Sequence, residues 1–242
     1  MKELSQSEQK KLAAVTAIES LYKKGLIFSG MKIGLGTGST ALPAVKRLSE
    51  YIADGTLTDI KAVATSFQTE NACADWGIPV YSFKNRVIDG ELDLAIDGAD
   101  EIDGACNCIK GGGAALLREK IVAYNAKKFV IVADSSKSVE TLGTKFALPV
   151  EIIPEAYIPI KKVLEKTGAQ VVLREGVKKC GPVITDNGNQ IIDCLWKNPV
   201  NPSEMEDFIN DITGVVETGF FTKNKPIAFI AKSDGSVEIR GL

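Results

Sequence analysis

The stretch Met31-Lys32-Ile33-Gly34-Leu35-Gly36-Thr37-Gly38-Ser39-Thr40 decides the fold. Its first half is a short apolar run, and its second is a turn rich in glycine and hydroxyls. Leu42, Val45, Leu48 and Ile52 then recur on one face of a helix. Strand, glycine turn and helix in that order open a parallel α/β unit, and the rhythm repeats downstream. Residues 60–64 read as a strand and 67–76 as its helix; 92–96 and 128–133 are further strands, separated by a helix over about 114–126. Such alternation predicts a parallel sheet covered on both faces, with ligand chemistry in the loops beyond the carboxyl ends of its strands. Upstream, Ser5-Gln6-Ser7-Glu8 fits a capping box for a helix carrying Leu12, Val15, Ile18, Leu21 and Tyr22 and stopping at Gly25.

From residue 148 the pattern changes. A strand at 148–153, a helix at 159–166 and a strand at 170–173 precede a hairpin, 183–185 with 190–195, turned through Asp186-Asn187-Gly188. A helix at 203–212 and a strand at 215–220 complete a βαββαβ order of the ferredoxin-like kind. Residues 226–232 and 236–240 read as two strands that return to the first sheet. The expected fold is therefore α/β: a Rossmann-like parallel-sheet domain over 1–145 and 224–242, with a smaller ferredoxin-like α+β domain over 146–223.

Composition narrows the chemistry. The 242 residues carry 29 Lys and Arg against 31 Asp and Glu, a formal charge of -2, which offers no broad basic surface for nucleic acid or an anionic membrane. No apolar run is long enough to span a bilayer, and Met1-Lys2-Glu3-Leu4-Ser5-Gln6 lacks a signal-peptide core. Five cysteines without a C-x-x-C predict a reducing, cytoplasmic setting. There is no histidine at all. Ser-His-Asp and Cys-His nucleophiles, imidazole bases and histidine-bound zinc are excluded together, and proton transfer falls to carboxylates, lysines or, less often, Cys or Tyr.

Three loops are candidates. In the first, Gly36 and Gly38 allow close backbone approach, a helix N-terminus favours an anion, and Thr37, Ser39 and Thr40 add hydroxyls, which together suit a phosphate. It is no Walker loop, because no lysine precedes the Ser/Thr, and no dinucleotide fingerprint, because the third glycine would fall on Ser39. A plain strand-to-helix turn is the alternative. The second loop, Asp97-Gly98-Ala99-Asp100-Glu101, crowds carboxylates at a strand end, which suits acid/base work on sugar hydroxyls; a helix-capping cluster or a divalent-metal site are the alternatives.

The third is Lys110-Gly111-Gly112-Gly113 feeding a helix, a second anion cradle. On that helix Glu119 shares a sector with Ala115, Val122, Ala123 and Ala126, while Lys120 and Lys127 lie on a face expected to be solvated. A carboxylate among small apolar residues loses water, and its pKa moves upward, as a general base requires. A surface glutamate among basic neighbours is the alternative. Lys137 in Asp134-Ser135-Ser136-Lys137 is either one more anion contact or a solvated loop lysine. Cys106 and Cys108 read as free thiols, and Trp76 and Trp196 as core.

Two cradles, a carboxylate cluster, a lysine and a half-buried glutamate suit an aldose–ketose isomerase working through an enediolate. The chain resembles ribose-5-phosphate isomerases of the A type. The resemblance rests on Gly36-Thr37-Gly38-Ser39-Thr40, Asp97-Gly98-Ala99-Asp100-Glu101 and Lys110 to Lys120. It extends to Asp134-Ser135-Ser136-Lys137, Leu148-Pro149-Val150-Glu151, Thr185-Asp186-Asn187-Gly188-Asn189 and Gly214-Val215-Val216-Glu217-Thr218-Gly219.

It implies interconversion of D-ribose 5-phosphate and D-ribulose 5-phosphate in the non-oxidative pentose phosphate pathway, without metal or other cofactor, by a homodimer or homotetramer. It implies Glu119 as the base, Asp97 in ring opening and Lys110 on the oxyanion. Substrate contacts would come from Thr37, Gly38, Ser39, Thr40, Asp97, Gly98, Ala99, Asp100, Lys110, Gly111, Gly112, Gly113, Lys137 and Lys10. Cys106 and Cys108 depart from the family pattern and receive no role. The competing readings are a non-catalytic sugar-phosphate sensor and another sugar-phosphate or coenzyme A enzyme on the same general fold.

Overall fold

The computed structural model describes residues 3–241, so Met1, Lys2 and Leu242, at the ends of the expected first domain, lie outside the described residues. In chain order the elements are α1 (Gln6–Lys23), β1 (Lys32–Leu35), α2 (Gly38–Ala53), β2 (Lys61–Ala64), α3 (Phe67–Asp75), β3 (Leu94–Gly98), β4 (Glu101–Ile102), β5 (Cys108–Ile109), α4 (Leu116–Tyr124) and β6 (Phe129–Asp134). They continue with β7 (Leu148–Ile152), α5 (Tyr157–Glu165), β8 (Ala169–Leu173), β9 (Gln190–Trp196), α6 (Pro202–Asn210), β10 (Val215–Thr218), β11 (Phe220–Phe221), β12 (Ile227–Ala231) and β13 (Val237–Arg240). The chain divides into two compact units, Met1–Ala99 with Arg118–Ser138 and Asn224–Leu242, and Asp100–Leu117 with Val139–Lys223. Residues 100–117 and 139–145, grouped by sequence with the first domain, cluster with the second.

The first unit holds a six-stranded sheet in the order β13-β12-β6-β3-β1-β2. All neighbours are parallel except β13, which pairs antiparallel with β12 at the edge. The tail thus returns to the sheet, as its apolar alternation implies. Because β2 lies on one side of β1 and β3 on the other, the chain reverses direction there, and the carboxyl ends of β1 and β3 flank a topological switch point.

α1 starts as expected: the Ser5 and Glu8 side chains satisfy each other's backbone N–H groups. Its buried face is set by Ala13, Ala14 and Ala17 together with Ile18 and Leu21 of the predicted stripe; Leu12 and Val15 are half-buried and Tyr22 is exposed. Alanines let the helix lie close to its neighbours, and this wins over the larger residues. Leu92 is no part of a strand: it makes a lone bridge to Ala126, while Asp93 accepts a hydrogen bond from the Lys32 N–H (2.9 Å).

The second unit contains a four-stranded antiparallel sheet in the order β10-β7-β9-β8, the ferredoxin-like arrangement. Leu148, Val150, Ile152, Ile192 and Cys194 share a buried core with Ile160 and Leu164 of α5 and Ile209 of α6. The alternate residues Pro149, Glu151 and Asp193 point to the opposite face. The expected hairpin is corrected. Residues 183–185 form no strand, and Ile184 makes a single bridge to Gln190. The Asn-Gly turn is present, closed by Gly188 N–H on Thr185 O (2.9 Å). Thr185, Asn187 and Asn189 spend their side chains on Glu151 Oε1 at 3.0, 3.0 and 2.8 Å, which folds the loop over β7 instead of extending it. A small sheet, β11-β5-β4, had no counterpart in the sequence reading.

Candidate active site

In the first unit the site is built at the ends of β1 and β3. The Gly36 N–H donates to Ile96 O (2.9 Å), and a Cβ on Gly36 would stand 2.0 Å from Asp97 Oδ1 and 2.6 Å from Asp97 Cα. Only glycine admits the aspartate here. Asp97 is buried, and its Oδ1 accepts the N–H of Thr37 (3.1 Å) and of Gly98 (2.7 Å), so the carboxylate is fixed by backbone. Gly98 in turn brings Thr40 close: a Cβ there would lie 3.2 Å from Thr40 Cβ.

The hydroxyl of Thr37, expected to face an anion, is turned elsewhere. It donates to Ser66 Oγ (2.7 Å) and lies 2.7 Å from Thr65 Oγ1, while Thr69 donates to Gly36 O (2.8 Å). A knot of hydroxyls after β2 therefore stiffens the glycine turn. Thr37 does not cap α2, the Gly38 N–H is taken by Gln68 Oε1 (3.0 Å), and Ser39 is exposed. Lys10 reaches Ser39 from α1, with Nζ donating to Oγ at 3.2 Å.

One turn earlier and on the same helix, Gln6 and Gln9 hold the segment before Lys137. Gln6 Nε2 donates to Ser136 Oγ (3.1 Å), and Gln9 Oε1 accepts the N–H (3.2 Å) and Oγ–H (2.9 Å) of Ser135. α1 thus braces both the Ser39 turn and the short 3-10 turn Ser135–Lys137, in which Lys137 is half-buried.

Glu119 lies in the first turn of α4, the crossover helix between β3 and β6. A crossover helix runs against its parallel strands, so its first turn lies at their carboxyl ends. The predicted sector is buried throughout, with Ala115, Glu119, Val122, Ala123 and Ala126 all below a tenth exposed. Gly34 explains how closely α4 sits: a Cβ there would fall 2.2 Å from Val122 Cγ1. The Oε2 atom of Glu119 is buried and accepts no hydrogen bond. Lys120 corrects its expectation: it is buried as well, with Nζ 5.6 Å from the Tyr124 ring centroid, whereas Lys127 is solvated.

In the second unit Asp100 organises the glycine run. Its N–H donates to Ile109 O (2.8 Å), its Oδ2 accepts the Gly112 N–H (2.7 Å), and a Cβ on Gly112 would lie 2.6 Å from its Oδ1. Gly111 has φ +105°, a glycine conformation, and Gly113 is exposed. Lys110 is buried, with Nζ 5.6 Å from the Phe221 ring centroid; its N–H donates to Gly219 O (2.9 Å). Glu101 leaves the carboxylate cluster. It accepts the N–H of Gly143 (2.5 Å), Lys145 (2.7 Å) and Phe146 (2.8 Å) and anchors that loop.

Ala99 is buried at the end of the first unit's β3 strand. Cys106 and Cys108 are buried free thiols. The sequence reading missed Gln68 and Arg174, which bond backbone groups, Asp193, which grips Arg174, and the hydroxyls after β2, which bond both backbone and one another.

Among the described residues no helix is long and apolar enough to cross a membrane, and no cluster of three metal-ligating side chains occurs. A family model described as ribose 5-phosphate isomerase A (phosphoriboisomerase A) matches residues 61–235. A ribose-5-phosphate isomerase A of Treponema denticola is 58% identical over 234 residues, covering 96% of this chain and 98% of that protein; that of Treponema pallidum is 50% identical over 239 residues, covering 98% and 94%. Among solved structures, a D-ribose-5-phosphate isomerase in complex with phospho-erythronic acid aligns with a TM-score of 0.89 at 40% identity, covering 98% of this chain and 99% of that one. A ribose 5-phosphate isomerase A of Methanocaldococcus jannaschii aligns with a TM-score of 0.88 at 40% identity over 97% and 99%. The chain belongs to the ribose 5-phosphate isomerase A family.

Proposed function

We propose that this chain interconverts D-ribose 5-phosphate and D-ribulose 5-phosphate, with Glu119 carrying the proton between C2 and C1. In the open-chain aldose, Glu119 takes the C2 proton. The electron pair passes into the carbonyl, and the Lys110 ammonium stabilises the oxygen that becomes anionic in the enediolate. The C2 hydroxyl proton passes to the C1 oxygen, Glu119 returns its proton to C1, and the C2 oxygen becomes the carbonyl of the ketose. Asp97 assists opening of the furanose ring. The phosphate is held by the first turn of α2 with Ser39, Thr40 and Lys10 and by Lys137, while Asp100, Gly111, Gly112 and Gly113 meet the sugar's oxygens, so that remote binding holds C1 and C2 against the base.

One observation carries the reading: a carboxylate buried to 5% exposure in the first turn of a helix that directly follows a glycine run. A non-catalytic sugar-phosphate sensor would need the cradles but not that desolvated base. Free thiols at all five cysteines support a reducing, cytoplasmic setting. A homodimer or homotetramer is the assembly that the family resemblance implies.

Solvent-deuterium incorporation into ribose 5-phosphate tests the base. The intact chain exchanges the C2 hydrogen, and Glu119→Gln binds the sugar but loses turnover and exchange by roughly 10²-fold or more. Near-normal exchange in Glu119→Gln removes the assignment.

A further inference from the structure

Three consecutive glycines leave residues 111–113 no side chains with which to hold their own peptide planes. A glycine peptide rotates almost freely, and one flip would replace an N–H facing an anion with a repelling carbonyl. A turn bond from the Ala114 N–H to Gly111 O (3.0 Å) helps to set one of these dipoles, and a group outside the loop must set the next. Arg174, the residue after β8, is placed to do so.

Its Nη1 donates to Gly111 O (2.8 Å) and to Gly112 O (3.2 Å). Its Nε donates to Asp193 Oδ2 (2.8 Å), and Nη2 bonds the other oxygen, Oδ1, so the carboxylate of β9 grips the guanidinium in a two-point fork. Asp193 stands on the face of the sheet away from α5 and α6, because its neighbours Ile192 and Cys194 supply the core. The fork fixes the guanidinium plane, and the plane fixes two carbonyls.

The consequence follows from peptide geometry. In a trans peptide the C=O and the next N–H point in opposite directions. With Gly111 O on Arg174, the Gly112 N–H points away and meets Asp100 Oδ2 at 2.7 Å. With Gly112 O on Arg174, the Gly113 N–H likewise points away from the guanidinium.

The geometry points to Arg174, gripped by Asp193, as the positioning residue that orients the glycine loop and with it the Lys110 backbone for the anionic substrate. Lysine would not replace it, since a point charge on a flexible stem cannot bond a carboxylate fork and two carbonyls in one plane. The inference rests on the proposed role of the 110–113 loop in binding substrate.

The test measures kcat and KM for ribose 5-phosphate in Arg174→Ala, Arg174→Lys, Asp193→Asn and, separately, Lys110→Ala, together with melting midpoints. Arg174→Ala is expected to lose roughly 10²-fold in kcat/KM, the scale of a misplacement near 1 Å. Arg174→Lys recovers little, Asp193→Asn loses less, and guanidinium chloride, compared with an equal concentration of sodium chloride, restores part of the Arg174→Ala activity.

Near-normal kinetics in Arg174→Ala, beside a crippled Lys110→Ala, overturns the inference alone. Normal kinetics in Lys110→Ala overturns the loop reading beneath it. A loss that follows a lowered melting midpoint and ignores guanidinium also overturns it, because it marks a purely structural role. If Arg174→Ala does not fold, Asp193→Asn decides, and wild-type kinetics there overturns the inference.

Discussion

Replacing Gly36 with alanine adds one methyl group at the point where β1 meets Asp97. The new Cβ would stand 2.0 Å from Oδ1, 2.2 Å from Cγ and 2.6 Å from Cα of Asp97. A side chain can swing aside, but the Cα is backbone. Restoring ordinary contact requires β1 and β3 to part by about 0.8 Å at their carboxyl ends, against the Gly36–Ile96 hydrogen bond of 2.9 Å. Overpacking of this kind costs about 1–3 kcal/mol, which for a chain of this length lowers the melting midpoint by about 2–12 °C.

A functional loss comes in addition to the loss of stability, because Asp97 moves with the strand: kcat/KM for ribose 5-phosphate falls by roughly 10²-fold. Gly55→Ala separates the two effects. Gly55 has φ +79° and open space around it, so alanine there brings a conformational cost of about 1–2 kcal/mol with no displacement of the site, and kinetics stay normal. Both variants are assayed by ketose formation at a temperature where each is folded. A Gly36→Ala enzyme within threefold of wild type would refute the argument that close approach, and not turn flexibility, demands this glycine.

Three further outcomes are expected. Lys10→Met and Ser39→Ala each raise KM for ribose 5-phosphate about tenfold with kcat little changed, while binding of unphosphorylated ribose is unaffected; equal losses for both sugars place the phosphate elsewhere. Glu101→Gln weakens three backbone hydrogen bonds to the loop at Gly143, Lys145 and Phe146 and lowers stability by about 1–3 kcal/mol in thermal denaturation, whereas an isothermal loss of kcat with unchanged stability would return it to the chemistry. Burial pushes the Cys73 thiol up from 9.0 to about 11 and raises Cys194 too, so stability contributed by the neutral thiols is complete below pH 9 and falls as pH rises toward 11. In the native protein near pH 8 a thiol reagent labels Cys180, the exposed cysteine, and fast labelling of a second thiol contradicts that burial.

The parallel sheet was legible because its strands are short, nearly continuous apolar runs alternating with helical patterns, and because β1 runs directly into a glycine turn. Boundaries moved where side chains compete with the ladder. Asp93 bonds the Lys32 amide and starts β3 late, and Glu151 draws Thr185, Asn187 and Asn189 into a cap where the sequence suggests a strand. The β11-β5-β4 sheet was illegible for a simpler reason: its strands are two residues each, too short for a period of two to appear.

The same distinction divides the candidate site. Asp97, Lys110 and Glu119 could be singled out because their chemistry belongs to their side chains, and a histidine-free chain leaves few other groups to move a proton. Glu119 was legible also through its neighbours, since small residues one turn away predict burial whatever the helix packs on. Lys120 was misread because a helical wheel ranks faces by polarity, and a lysine stem with Tyr124 beneath it is buried against that ranking. Arg174 and Gln68 act on backbone carbonyls and amides, which belong to residues of any type, and Asp193 acts through Arg174. A contact to a carbonyl leaves no constraint on the identity of the residue that owns it, so no spacing marks the partner. Residues that aim a loop emerge only when the path of the chain is known, and a loop of glycines, having no side chains to hold itself, is where such residues should be sought first.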